Sequence, residues 1–501
     1  MSSQKINSLK KNTIANYVGQ IYISFIGIII LPFYLKYLGA SAFGLVGFFA
    51  VFQTWLRLLD VGLTPTLARE VAHIRGGSKN YNALKELVRT LEILFIIIGL
   101  LCFLLVVIFS YTIASSWLKV GTLDIQTVSL CVMLMGAMFG FRWLTDLYGG
   151  GLRGFEQQVK YNFISIISVS GQYIGGWMFL HFVSTNILHF FMFQAFVLFL
   201  NLLYTMFAFY SVMPITNKIG FTFNTKSFKK IIPFALGISY SSTVWVLVSQ
   251  SDKLVFSNIL PLSKYGYYAL LILLSSAVSM VSSPISIAIQ PRMTMLLSEG
   301  NVKAMESLYL KASVFVIVLV ASVVACMCLY SHQLLYVWSG SIALADWGGD
   351  ILKLYVISSG IIAIIAFQYY LQYAYGKLKL HNLYNTLYLI FVTPLIVYSA
   401  YNFGVYDTGM IWLIISLFSL VFWMPIVHHI YARSINVKFF SNLVIILCIA
   451  VLMMYVLYIL DLQIYNGYLG FVELLIIGGS FLAILSGFVF VLMFLKVVMV
   501  R

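Results

Sequence analysis

Long apolar runs recur along this chain from one end to the other, and they constrain the fold more than any other feature of the sequence. A run of about 18 or more apolar residues is long enough to cross the roughly 30 Å hydrocarbon core of a bilayer as a helix. Hydrophobic residues fill 62% of the 501 positions and charged residues only 9%, which exceeds what a globular protein can bury. The sequence therefore predicts an all-α polytopic membrane protein.

We predict about fourteen transmembrane helices. The first span, near residues 14–38, is not expected to be a cleavable signal peptide, because it lacks a small-residue cleavage site. Twenty-three of the 30 Lys and Arg residues fall on the side that holds both termini, and four fall on the opposite side. Positively charged short loops stay cytoplasmic, so both termini are expected there. The net charge of +15 then reflects topology and contact with anionic membrane lipids, and requires no nucleic acid.

The chain contains an internal repeat. The segment from Tyr37 resembles the segment from Asn258, with Ser41, Phe43 and Gly44 matching Ser263, Tyr265 and Gly266 at an offset of 222 residues. The loop FEQQVKYN at Phe155 is similar to YGKLKLHN at Tyr375. We therefore predict two six-helix lobes, residues 1–215 and 216–435, related by a pseudo-two-fold axis along the membrane normal, with two further helices in residues 436–501. The alternative is that any two amphipathic membrane hairpins look alike.

Several predicted spans carry polar residues at intervals of three and four, which places them on one face of a helix. The second span, near residues 42–66, carries one such stripe, formed by Gln53, Arg57, Asp60 and Thr64, and the eighth carries a ribbon of serines. Small and hydroxylated residues also hold membrane helices together by close packing, so for the serines packing and a polar cavity are equally good interpretations. The residues assigned to the cavity or to ion coupling are Gln53, Asp60, Asp146, Asp252, Ser279, Ser286, Gln290, Gln368 and Gln372.

Charged side chains within spans favour a functional interpretation, because each costs roughly 2.5 to 3.5 kcal/mol at mid-membrane. Arg57 with Asp60, and Arg142 with Asp146, are spaced to pair within their own helices. We expect them to face water or an anionic substrate. A structural ion pair that holds two helices together is the alternative.

Further charges lie near the ends of predicted spans. Asp252 and Lys253 are adjacent and point in different directions, so they are not expected to pair with each other. Their position near the outer end of the seventh span makes snorkelling to the membrane surface the alternative to a place in the cavity. Glu92 is interpreted as an interfacial residue.

Enzyme motifs are absent from the sequence. The seven histidines are scattered without metal-ligand spacing, and no P-loop occurs. The five cysteines all fall within apolar runs, where they are typical of small hydrophobic residues. We therefore predict no catalytic residues, no metal site and no cofactor.

The second half of the chain contains the segments SDKLVFSNILPLSKYGYYAL and SSPISIAIQPRMTMLLSEGN, and the first half contains ANYVGQ, YLGASAFG, DVGL and GLRGFEQQVKYN. These segments, the first two most clearly, resemble the polysaccharide-lipid flippases, the Wzx-type O-antigen and repeat-unit flippases of the multidrug/oligosaccharidyl-lipid/polysaccharide exporter superfamily. It implies an alternating-access transporter of the bacterial inner membrane that moves an undecaprenyl-pyrophosphate-linked glycan from the cytoplasmic to the periplasmic leaflet. It also implies cavity cations for the pyrophosphate, for which Arg57, Arg142 and Lys253 are the candidates.

The resemblance further suggests H⁺ or Na⁺ as a coupling ion, and polysaccharide polymerase and chain-length components as partners. Two other functions stay open. A drug or metabolite antiporter of the same superfamily would more typically have twelve spans and a carboxylate-dominated cavity. A membrane-embedded glycan polymerase or ligase would have a large outer loop rich in Arg and His, which this sequence lacks.

Overall fold

A computed structural model of the chain describes residues 3–76, 81–214, 223–460, 468–495 and 498. The chain divides into two compact units, Met1–Gly266 and Tyr267–Arg501. The helices that lie in the first unit, or begin in it, are α1 Ser3–Leu56, α2 Leu63–Gly76, α3 Tyr81–Thr112, α4 Ile125–Gly154, α5 Gln158–Ser170, α6 Gly176–Phe182, α7 Ile187–Val212, α8 Thr225–Ile259 and α9 Leu262–Ser298, which continues into the second unit.

Helix α4 lies at the centre of the first unit, with α2, α3 and α7 packed against it. Its C-terminal half is rich in glycine, and the missing side chains let α2 approach its backbone. A Cβ atom at Gly150 would lie 2.9 Å from the Thr64 carbonyl oxygen, and one at Gly154 would lie 2.5 Å from the Ala68 carbonyl oxygen. Only glycine permits this separation, because real Cβ atoms do not approach a backbone oxygen so closely.

The turn between α8 and α9 docks on the connection between α3 and α4. The Trp117 indole N–H donates to the Ser257 hydroxyl at 3.0 Å, and the Asn258 amide donates to the Trp117 carbonyl at 3.1 Å. The Leu262 backbone N–H donates to the Lys119 carbonyl at 3.0 Å. These bonds join segments about 140 residues apart in the sequence.

The second unit is also helical. His428 is buried in it and is held by the Tyr309 hydroxyl at Nε2, 2.8 Å away, and by Asn436 at Nδ1, 3.2 Å away. After α9, its helices are α10 Val302–Leu329, α11 Ser331–Ser339, α12 Ile342–Ile365, α13 Phe367–Ala374, α14 Lys379–Leu387, α15 Thr393–Asn402, α16 Val405–Phe418, α17 Met424–Tyr431, α18 Asn436–Leu460 and α19 Tyr468–Phe494.

Eleven helical stretches among the described residues are long and apolar enough to span a membrane. The prediction of an all-α polytopic membrane protein is therefore confirmed. One stretch, Val18–Asp60, contains a break at Gly39 and covers most of the first two predicted spans. The predicted seventh and eighth spans lie in α8 and α9, where some side chains are not described. The total of fourteen stays a prediction.

Candidate substrate-binding site

A break between α1 and α2 shapes the site. The predicted second span, residues 42–66, is not one helix: α1 ends at Leu56, a single 3₁₀ turn covers Arg57–Asp60, and α2 begins at Leu63. Val61 and Gly62 have φ angles of +46° and +74°, which an α-helix cannot contain. The expectation that Gln53, Arg57, Asp60 and Thr64 share one helical stripe is therefore wrong.

The break frees Asp60 to bond to the first turn of α2. One of its carboxylate oxygens accepts from the Thr64 hydroxyl at 2.6 Å and from the Thr64 backbone N–H at 3.2 Å. These bonds satisfy donors at a helix start that has no preceding turn to supply acceptors. Asp60 also lies within electrostatic reach of Asp146 and Arg153.

The arginines make their contacts between helices. Arg57 Nε lies 3.9 Å from Asp146 Oδ2 on α4, and Arg142 Nη1 donates to Gln53 Oε1 on α1 at 2.9 Å. The prediction that Arg57 pairs with Asp60 is therefore wrong. Arg142 is hydrogen-bonded to Gln53 and also lies within electrostatic reach of Asp146 on its own helix. The 3₁₀ turn explains the error for Arg57, because it redirects that side chain towards α4.

One hydrogen-bond donor in this cluster has no partner within the part of the chain that the structure describes. Gln53 is only 8% exposed, and its Nε2 atom is buried without a hydrogen-bond partner among the described residues, although its Oε1 accepts from Arg142. A buried amide donor without an acceptor costs about 1 to 3 kcal/mol. The Arg57 and Asp146 side chains, by contrast, are 51% and 41% exposed. The cluster thus combines an accessible edge with an unsatisfied donor.

The charges of the cluster suit an oxygen-rich anion. Three arginines, Arg57, Arg142 and Arg153, stand near two carboxylates, Asp60 and Asp146, so the local sum is positive. Arginine presents paired N–H donors that match two oxygens of a phosphate or carboxylate. We call these five residues and Gln53 the ionic cluster.

Lys253 makes its described contacts within its own helix. Its Nζ atom lies 3.3 Å from Asp252 Oδ1 and also donates to the Ser249 carbonyl. The expectation that Asp252 and Lys253 do not pair is therefore wrong: rotation of the long lysine stem brings the ammonium group back to the adjacent carboxylate. Asp252 is 1% exposed, so a buried charge is matched locally.

The remaining predicted polar residues lie elsewhere. Ser279 and Gln290 on α9 are partly exposed, and the nearby Ser282 hydroxyl donates to the Ser279 carbonyl of its own helix. The side chain of Ser286 is outside the described residues. Gln368 and Gln372 on α13 are buried and bonded to each other, with Gln372 Nε2 donating to Gln368 Oε1 at 2.6 Å.

Sequence reasoning missed a buried network around Glu92. This residue is 1% exposed, so its side chain is buried within the protein, and Arg89 donates to it at 2.7 Å. The Tyr148 hydroxyl donates to Glu92 at 2.9 Å and the Tyr210 hydroxyl donates to the same oxygen. The three-residue spacing of Arg89 and Glu92 indicates that these two side chains can pair on one helix, a signal present in the sequence. The tyrosines come from α4 and α7, which no local pattern reveals.

Comparison with known sequences assigns a family. Residues 9–297, more than half of the chain, match the profile of the family described as "Polysaccharide biosynthesis protein". A Shigella flexneri protein described provisionally as an O-antigen transporter is 22% identical over 408 residues, which cover 81% of this chain and 94% of that protein.

Solved structures share the fold. A lipid II flippase, MurJ, in an inward closed conformation is similar with a TM-score of 0.70 and 13% identity, covering 96% of this chain and 98% of MurJ. An inward-facing multidrug resistance transporter of the MATE family in the MOP superfamily is similar with a TM-score of 0.66 and 12% identity, covering 84% of this chain and 99% of that one.

Proposed function

The chain belongs to the polysaccharide biosynthesis protein family, and on that premise we propose that it is a transporter that moves an undecaprenyl-pyrophosphate-linked oligosaccharide across the membrane. Transport runs from the cytoplasmic to the periplasmic leaflet of the bacterial inner membrane, with both termini cytoplasmic. The similarity to a transporter from Shigella flexneri and to flippase and MATE structures supports a transporter rather than an enzyme.

The ionic cluster carries the proposal. A pyrophosphate offers many acceptor oxygens, and Gln53 Nε2 is a buried donor in need of one. Arg142 is fixed beside it through the bond to Gln53 Oε1, and Arg57 stands at the exposed edge. We assign Arg57 and Arg142 to the pyrophosphate, with Gln53 adding a neutral donor. Lys253 is a weaker candidate, because its ammonium group is already matched by Asp252.

Such a site overcomes the main physical difficulty of moving a glycolipid across a membrane. A sugar headgroup cannot enter hydrocarbon, because each unpaired hydroxyl costs several kcal/mol. A polar path through the protein replaces those bonds while the lipid tail stays in the membrane. The site is then exposed to the two sides of the membrane in turn.

Ion coupling follows from the same cluster. In this structure Arg57 is the charge partner of Asp146, at 3.9 Å. When a pyrophosphate binds Arg57, Asp146 loses that partner. An uncompensated carboxylate in a partly buried position takes up a cation, so H⁺ or Na⁺ is expected at Asp146 or at the nearby Asp60. Asp252 is a weaker candidate because Lys253 is bonded to it. Polymerase and chain-length components stay predicted partners.

Complementation of a strain that lacks its own repeat-unit flippase tests the assignment. R57A and R142A, brought to equal expression, are expected to lower surface polysaccharide at least tenfold, because a charge-paired contact is worth about 2 to 5 kcal/mol. Arg69 is the matched control, since its side chain is 52% exposed against 51% for Arg57. R69A should restore polysaccharide fully. Full restoration of surface polysaccharide by R57A and R142A would contradict the assignment of these arginines to the pyrophosphate.

A further inference from the structure

Two loops, one in each unit, have the same backbone geometry. In both, three successive N–H groups donate to carbonyls four, three and five residues earlier, and the middle residue is left-handed, with φ of +59° at Glu156 and +65° at Gly376. The pattern joins α4 to α5 in the first unit and α13 to α14 in the second. The matching donors are Phe155, Glu156 and Gln157 in one loop and Tyr375, Gly376 and Lys377 in the other, an offset of 220 residues.

The same offset matches residues before and after the first loop with residues before and after the second. Arg153 corresponds to Tyr373, and Tyr161 corresponds to His381. Arg153 Nη1 donates to the Tyr161 hydroxyl at 3.1 Å, and its guanidinium lies 4.9 Å from the ring centre. Because Arg153 belongs to the ionic cluster, the equivalent position in the second unit is a candidate binding position as well.

The second unit fills that position with aromatic rings. The Tyr369 ring centre lies 4.7 Å from that of His381 and 6.0 Å from that of Tyr373. Tyr373 is 44% exposed, and Tyr369 and His381 are partly exposed. We call these three residues the aromatic cluster. It carries no charge where the first unit carries several.

Buried amides hold the His381 ring and its backbone in place. Gln372 Oε1 accepts from the His381 backbone N–H at 2.8 Å, and Gln372 is itself bonded to Gln368. Asn385 Nδ2 lies 3.3 Å from His381 Nε2. An amide nitrogen can only donate, so Nε2 accepts and Nδ1 carries the ring proton. That Nδ1 atom is buried and has no hydrogen-bond partner among the described residues.

We propose that the aromatic cluster, Tyr369, Tyr373 and His381, binds a pyranose ring of the transported glycan; this rests on the proposed function. A pyranose presents C–H groups on its faces and hydroxyls around its rim. The electron-rich face of tyrosine attracts the C–H groups, and the His381 N–H provides a donor to a hydroxyl oxygen.

Two lipids separate the two parts of the proposal. Purified protein in nanodiscs is titrated with undecaprenyl pyrophosphate and with undecaprenyl-pyrophosphoryl-N-acetylglucosamine, and binding is followed by tryptophan fluorescence. Wild type is expected to bind the glycosylated lipid about tenfold more tightly, roughly the contribution of one well-packed aromatic contact. The Tyr369→Ala/Tyr373→Ala variant should lose this preference and keep its affinity for the bare lipid.

Two controls isolate the rings. Tyr369→Phe/Tyr373→Phe keeps both aromatic faces and should keep the preference. Tyr401, 54% exposed in the same unit, lies outside the cluster, and Y401A should behave as wild type. An unchanged preference in the double alanine variant, or no preference in wild type, would overturn the aromatic site. Failure of wild type to bind either lipid would instead overturn the proposed function.

Discussion

Gly62 should be needed for the helix break that forms the ionic cluster. Its φ angle of +74° lies in the left-handed region, and a Cβ atom there would lie 2.5 Å from the Ala235 carbonyl oxygen of α8. Alanine in the left-handed region costs about 1 kcal/mol, and forcing atoms into a packed contact costs about 1 to 3 kcal/mol more. Gly62→Ala is therefore expected to lower the free energy of unfolding by about 2 to 4 kcal/mol.

Gly300 separates the two contributions. Its φ angle is also +74°, but a Cβ atom there would meet nothing within 4 Å. Gly300→Ala should therefore cost only the backbone term of about 1 kcal/mol. Both variants are compared with wild type by unfolding in SDS from mixed micelles, with helix content as the readout. Equal losses for the two variants would refute the close approach of Gly62 to α8.

Two further perturbations probe charges outside the candidate site. Arg89→Ala should destabilise the protein by about 3 to 5 kcal/mol in SDS unfolding, because it leaves the charge of Glu92 buried. Lys353→Ala breaks an exposed pair of the same three-residue spacing and should lower the free energy of unfolding by less than about 1 kcal/mol. Equal losses for Arg89→Ala and Lys353→Ala would contradict a buried charge at Glu92. Hydrogen bonds from the Thr127 backbone N–H and hydroxyl lower the pKa of Asp124, which lies just before α4. The carboxylate therefore stabilises the start of α4 above its ordinary pKa of 3.8 and loses this effect as pH falls through the lowered value. Amide exchange at Thr127, corrected for intrinsic exchange, should speed up in wild type as pH falls through the lowered pKa of Asp124, and much less in D124N. Identical pH profiles for the two proteins would contradict the stabilising role of Asp124.

The membrane class of the fold could be predicted because it depends on composition and length alone. Apolar runs of this length form helices in a bilayer, because a helix pairs all of its own backbone N–H and C=O groups where no water can bond to them. The break at Arg57–Gly62 could not be read in the same way. Val61 is left-handed although valine disfavours that region, so tertiary contacts with α4 and α8 override the local preference.

The residues of the candidate site could be predicted in part. Intramembrane charges are costly, so Arg57, Arg142 and Asp146 were predictable as a group. Their partners were not, because helical spacing reports only neighbours within one helix, whereas the observed contacts join α1 and the 3₁₀ turn after it to α4. The same limit hid the tyrosines around Glu92, which lie 56 and 118 residues away in the sequence.

Translocation in proteoliposomes tests the central claim most directly. Protein is reconstituted with an undecaprenyl-pyrophosphoryl glycan, and the fraction of glycan reached by an added glycosidase is followed over time. Wild type and R69A are predicted to move the glycolipid between leaflets, and R57A/R142A is predicted to be at least tenfold slower, in line with loss of charge-paired contacts. Equal rates for R57A/R142A and wild type, with matched reconstitution, would contradict the assignment of the ionic cluster to the pyrophosphate.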